Sequence, residues 1–234
     1  MRITSAVVEF SCPKDEGRRS RGHERQRYVF RDDQTWSLTA FSLASDLGVQ
    51  RDVIVNLDRF GAPTDAYVHI HLEDRAEGSG WFLFEPDRVQ SSTWNHETGL
   101  THGSMDAGAQ NRTFSGHPIS CDLLLMAAFD RTSPDKIQLL DNVLLSSPHH
   151  FGATGPELAP VKLEVEYLGV ETRHTACGDF ETDHWRILPG NDRTGHTHPG
   201  EDLWALKDTF VFVEAAIGSV GYRYELASFE DVSV

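Results

Sequence analysis

Residues 161–170 read VKLEVEYLGV, and their alternation decides the fold class. Leu163, Val165 and Tyr167 fall on one side of an extended chain, and Lys162, Glu164 and Glu166 on the other. A helix would scatter both sets around its circumference, whereas a strand with one buried face keeps them apart. The same period of two recurs upstream at 2–11, 26–31, 35–43 (TWSLTAFSL), 51–57, 65–72, 79–85, 88–95 and 98–104. Downstream it recurs at 179–188, 202–206, 209–216 and 220–229. Turn residues divide these runs, with DLG at 46–48, RFGAPTD at 59–65 and EGSG at 77–80. Such spacing predicts an antiparallel meander.

The alternation breaks once. HPISCDLLLMAAFDR (117–131) carries Pro118, Ser120 and Asp122 ahead of helix formers, which predicts one short helix over 120–129. The loop PHHFGATGPELAP (148–160) follows, rich in Gly, Pro and His. A structureless stretch of that length suits either a lid over a cavity or a crossover closing the far end. The strands after it make an incomplete sheet alone, so 1–234 is expected to be one domain. The expected fold is all-β, a single antiparallel, lipocalin-like barrel of about ten strands whose closure removes sheet edges.

Composition narrows the function classes. The net charge of −15 over 234 residues argues against nucleic acid and anionic membrane surfaces as partners. The one basic cluster, KDEGRRSRGHERQR (14–27), is interrupted by acids and is expected to be a solvated loop. No run reaches the roughly 18–20 apolar residues of a membrane span. RITSAVVEF after Met1 lacks secretory-signal features, so a cytoplasmic location is expected. Cys12, Cys121 and Cys177 are too scattered for a disulfide framework or zinc knuckle, and the NRT sequon at 111–113 carries no weight without export.

YLGVE (167–171), Gly178-x-Phe180-x-x-x-His184, Asp202-Leu203-Trp204 and Tyr224-x-Leu226 form a recurring pattern, joined by HPIS (117–120) and SSPHHFGATGPEL (146–158). Over 115–230 it resembles an uncharacterised group of bacterial lipocalin-like β-barrels, domains of unknown function. That resemblance implies a barrel with a small-molecule cavity and names no reaction. The entry TRHTACGDFE (172–181) departs from the group's small, apolar pattern.

The chain has no G-x-S-x-G, phosphate-binding loop, G-x-G-x-x-G or H-E-x-x-H motif, so no organic cofactor is expected. AYVHIHLED (66–74) sets His69 and His71 two apart with Tyr67, opposite the apolar Val68, Ile70 and Leu72. The apolar face belongs to the core, which puts the histidines on a rim or outer face. No third ligand stands at a diagnostic spacing among His96, His102, His174 and His184, so no metal is assigned. His196 and His198 in GHTHPGED (195–202) read as an exposed hairpin.

Parity cannot orient 179–188, because each face mixes an aromatic with charges. The interior reading makes His184 a general base, with Arg186, Tyr222 and Tyr224 as donors to an oxyanion. Trp36, Trp81, Tyr167 and Phe180 would then be apolar walls, and His149, His150 and Phe151 a lid tip. The expected function is a cofactor-independent lyase, hydratase or isomerase acting on a small hydrophobic molecule, with a homodimer left open. A non-catalytic carrier of the same ligand is the alternative, and a metal-dependent cupin-like enzyme the third reading.

Overall fold

Strand-forming alternation is realised along almost the whole chain. The structure is a computed structural model that describes all residues but 15, 16, 74, 107, 109–111, 150, 151, 192–196 and 234, with backbone alone at 75, 76, 191, 197 and 198. The first half forms β1 (Arg2–Pro13), β2 (Arg18–Phe30), β3 (Trp36–Ala44), β4 (Val49–Leu57), β5 (Pro63–Leu72), β6 (Arg75–Phe84), β7 (Arg88–Asn95) and β8 (Gly99–Asp106). β9 (Thr113–Ser115) leads into α1 (Ile119–Asp122), which tightens into a 3-10 helix over Leu123–Ala128. Then come β10 (Ile137–Leu145), β11 (Ala159–Thr175), β12 (Gly178–Ile187), the short β13 (Gly190–Asn191) and β14 (Thr197–His198), β15 (Glu201–Leu206), β16 (Phe212–Ile217) and β17 (Tyr222–Ser233).

Fifteen of these strands make one sheet, in the order β8-β7-β6-β5-β4-β3-β2-β1-β17-β16-β15-β12-β11-β10-β9. This corrects the expected ten-strand, lipocalin-like antiparallel barrel. Among the described residues β8 pairs with β7 alone and β9 with β10 alone, so the sheet is open. The β9–β10 pair is also parallel, which makes the sheet mixed. Closure is not what protects the edges. β9 is three residues long and buried, and β8 is exposed and largely polar, two devices that discourage further pairing.

The first part of β2, ahead of the expected strand at 26–31, and the whole of β10 escaped the sequence reading for physical reasons. β2 runs through the basic cluster expected to be a loop, because its inward residues Glu24 and Gln26 are themselves polar and mask the alternation. β10 carries an irregularity between Leu140 and Val143 that shifts its parity midway.

The helical segment lies between the two halves of the curled sheet. Leu123, Leu125 and Met126 pack with Val8, Trp185, Leu203 and Phe212. Cys121 and Leu124 pack with Tyr28, Val53, Val68, Phe82 and Phe114 on the other side. Each such buried side chain contributes about 1.5–3 kcal/mol, so the segment holds the halves together. The loop after β10 crosses the concave face of β6. A Cβ on Gly78 would lie 2.6 Å from the Gly155 carbonyl oxygen and 2.7 Å from Pro156 Cδ, so only glycine admits the crossing.

Candidate functional site

The N-terminus of α1 points into the interior, where its free N–H groups need acceptors. Glu24, from the concave face of β2, supplies them. Its Oε2 accepts from Ile119 N–H at 2.8 Å, and Oε1 accepts from Ser120 N–H at 3.2 Å and from the Ser120 hydroxyl at 2.5 Å. Gln26 Nε2 donates to Glu24 at 3.0 Å, the Tyr28 hydroxyl donates to Gln26 at 3.1 Å, and Phe212 N–H donates to Tyr28 at 3.1 Å. One hydrogen-bonded row on β2 therefore ties the helix to β16. Burial pushes the Glu24 carboxyl up to about 7, against the hydrogen bonds from Ser120, Ile119 and Gln26 that favour its charged form.

Beside this row lies a cavity of about 80 Å³ with Arg21, Ser42, Arg51, Asp122, Glu201 and Tyr224 on its polar wall. His117, Phe10 and Ile217 complete part of the lining. Burial draws the Arg51 guanidinium down to about 10, countered by Asp122 and Glu24, so it stays charged at neutral pH. Burial pushes Asp122 up to about 6, although the Ser115 hydroxyl donates to it at 2.7 Å and Arg51 lies near. Glu201 is held well above the ordinary carboxylate range by burial, and then by Asp122 and Asp202. Its Oε1 is buried without a hydrogen-bond partner among the described residues. Burial also raises the Tyr224 hydroxyl, helped by Glu201. Arg21 donates to Asp46 at 2.7 Å and lies 3.6 Å from the centre of the Tyr222 ring.

The cavity's size limits its contents. A water needs about 10–15 Å³ and drug-sized ligands about 300 Å³ or more, so a few waters or a molecule of a few heavy atoms fit. The lining is mixed, with Arg21, Arg51, Asp122 and Glu201 set among Phe10, Leu47, Ile119 and Ile217, whereas a carrier of hydrophobic ligands requires an apolar one.

Only part of the expected site comes together here. Tyr224 lines the cavity and Tyr222 lies against Arg21. His184 and Arg186 do not join them. The register sends Trp185 and Ile187 into the core and turns His184 and Arg186 to the outer face of β12. This corrects the interior placement of His184. There its Nε2 lies 3.0 Å from Asp202 Oδ1 and its ring stacks on Trp204 at 4.3 Å, while Arg186 Nε donates to the same Asp202 oxygen at 2.9 Å.

The expected apolar walls are dispersed as well. Trp36 stacks on Phe210 in the core, Trp81 is exposed, and Phe180 meets Phe229 edge-on. The Tyr167 hydroxyl donates to Asp183 at 2.7 Å, away from the cavity, and burial pushes it up to about 12. His149 N–H donates to the Ser147 hydroxyl, while His150 and Phe151 lie outside the described residues.

Glu24, Arg51, Asp122 and Glu201 were missed by the sequence reading. The signal for three of them is a charge in phase with an apolar set, as in Arg51 with Val53 and Val55, or Glu201 with Leu203 and Ala205. Glu24 is likewise in phase with Tyr28.

A curled, open sheet around a helical plug, with a small cavity bearing buried charges at the plug's N-terminal end, defines the class of protein. Its fold is similar to that of a β-barrel-like protein of the domain of unknown function DUF1849 from Brucella abortus. The TM-score is 0.62 at 8% identity, across 100% of this chain and 99% of that one. A putative exported protein with a YmcC-like fold from Bacteroides fragilis aligns over 97% of this chain and 95% of its own, at 8% identity and a TM-score of 0.42, too low to carry an argument. No family profile and no curated protein sequence matches the chain. The barrel-like, unknown-function part of the sequence resemblance thus holds at the level of fold, and its lipocalin-like part does not. No described helix is long and apolar enough to cross a membrane.

Proposed function

We propose that the protein binds a small polar molecule of a few heavy atoms in the cavity beside α1. The observation that carries this reading is Glu201, a buried carboxyl with an unpartnered Oε1 on the cavity wall. An unmade hydrogen bond at a buried polar atom costs about 1–3 kcal/mol, which a bound partner recovers. Burial, Asp122 and Asp202 favour the neutral form of Glu201, whose O–H is a donor beside those of Arg51 and Tyr224, with Asp122 as an acceptor. A ligand bearing both an oxygen acceptor and a hydroxyl suits this set, and small hydroxy acids and polyols are the class to probe.

The experiment is an amide NMR titration with glycolate, lactate and glycerol. Saturable shifts around Glu201 and Arg51, absent in Glu201→Leu, are expected. No saturable shift with any probe, or shifts unchanged in that variant, overturns the reading. A second reading, cofactor-independent acid–base catalysis, is favoured by one observation: two carboxyls on one cavity wall, Asp122 pushed up to about 6 and Glu201 held well above its ordinary range by burial. Carboxyls perturbed by burial in a cavity are candidates for acid–base work. Conversion of a bound probe, followed by NMR, separates it from simple binding.

A further inference from the structure

The histidine pair of β5 lies on the outer face of the sheet, away from the cavity. We propose that His69, His71 and Asp52 form a binding site for a late first-row divalent cation, typified by zinc. The strand register builds it: Asp52 of β4 stands opposite His69 of β5, and His71 follows two residues on along the same face. The two imidazole rings meet at 4.2 Å and 65°. One ligand atom from each of the three side chains lies within 4.8 Å of the others. Zinc with bonds of about 2.0–2.1 Å sets its ligands about 3.3 Å apart, a difference that side-chain rotation on fixed strands can close.

Two imidazoles and one carboxylate favour zinc, nickel or copper over magnesium or calcium, which prefer oxygen alone. Three protein ligands leave a position open to water. All three side chains are half-buried, so an ion can enter from solvent yet is partly shielded once bound. The neighbours on adjacent strands do not compete by charge: Phe41 stands beyond Asp52, and Ser79 beyond His69. Among the described residues this is the one trio with such an arrangement.

The test is zinc titration of the full chain by calorimetry at pH 7.5, with magnesium as control and cobalt absorption as a spectroscopic probe. One equivalent of zinc should bind, with a visible cobalt spectrum and no heat from magnesium. His69→Ala and His71→Ala should each weaken zinc at least tenfold and bleach the cobalt bands. Asp52→Asn should weaken it several-fold while leaving the circular dichroism spectrum unchanged, and it carries the test if a histidine variant misfolds. The proposal is overturned if no zinc binds, or if the Asp52→Asn and doubly substituted histidine variants bind as the parent does. It is equally overturned if binding is lost only on replacing His196 and His198.

Discussion

Raising the pH from 4.5 to 8 should cost this fold about 3 kcal/mol at a single residue, Glu24. Its carboxyl is fully buried and pushed from an ordinary 4.5 up to about 7. The native state therefore holds a proton across a window in which the unfolded chain has released it. Stability falls wherever the native state binds more protons, so this contribution is whole below about 4.5 and is lost as pH passes 7. A shift of about 2.5 units at about 1.36 kcal/mol each sets the size at roughly 3 kcal/mol. The direction is opposite to that of a salt-bridged carboxylate, which stabilises as pH rises.

Urea unfolding of the parent and of Glu24→Gln at pH 4.5 and 8 isolates the effect. Gln removes the titration and sets an amide donor among the Ile119 and Ser120 donors, which costs about 1–3 kcal/mol at any pH. Asp122, raised by the same kind of burial, titrates in both proteins and drops out of the difference. The parent's advantage over Glu24→Gln should shrink by about 3 kcal/mol from pH 4.5 to pH 8. A difference flat to within about 1 kcal/mol would refute the reasoning, because it would mean Glu24 keeps one protonation state throughout.

Arg51→Met should destabilise by about 3–5 kcal/mol at pH 7.5, since it leaves Asp122 charged and unpaired, and by less at pH 5, where Asp122 is protonated; urea midpoints at the two pH values check this. Gly78→Ala should cost about 1–3 kcal/mol, because its Cβ meets backbone oxygens of Gly155 and Trp94 at 2.6 Å. Gly190→Ala, with nothing within 4 Å of the added carbon, should leave the melting temperature unchanged. His184→Ala should lose about 1 kcal/mol of stability through its Trp204 stacking, with the NMR response of the cavity to small hydroxy acids unaltered.

Alternation made the all-β class legible, and the parity of β5 correctly sent Val68 and Ile70 inward and the histidines outward. Strand propensity does not carry the identity of a strand's neighbour. Whether β8 meets β9 depends on the curl of the whole sheet, so an open sheet and a closed barrel read alike along the chain. The first part of β2 was hidden because its inward row is polar, and β10 because a shift in register breaks its period. The cavity was hidden for a related reason. A charged residue in an alternating run reads as solvent-facing, yet Arg51 and Glu201 occupy the apolar phase of their strands. Tyr224 was found because an aromatic is expected to face inward.

The buried charges differ in what the fold itself demands of them. A helix N-terminus enclosed by a sheet has no water for its N–H groups, so an acceptor must be built in, and Glu24 serves. Placing carboxyls there favours a nearby cation, which Arg51 supplies to Asp122 and Glu24. Asp122 also accepts from Ser115 and so joins the helix to β9. Each of these groups has a structural partner that accounts for its burial. Glu201 does not: Asp122 and Asp202 both act against its ionisation, and its Oε1 meets no donor among the described residues. An aliphatic side chain there would follow the Leu203 and Ala205 phase at lower cost. A buried carboxyl retained against that cost is a feature of this interior that packing and helix capping leave unexplained, and a ligand in the cavity would satisfy it.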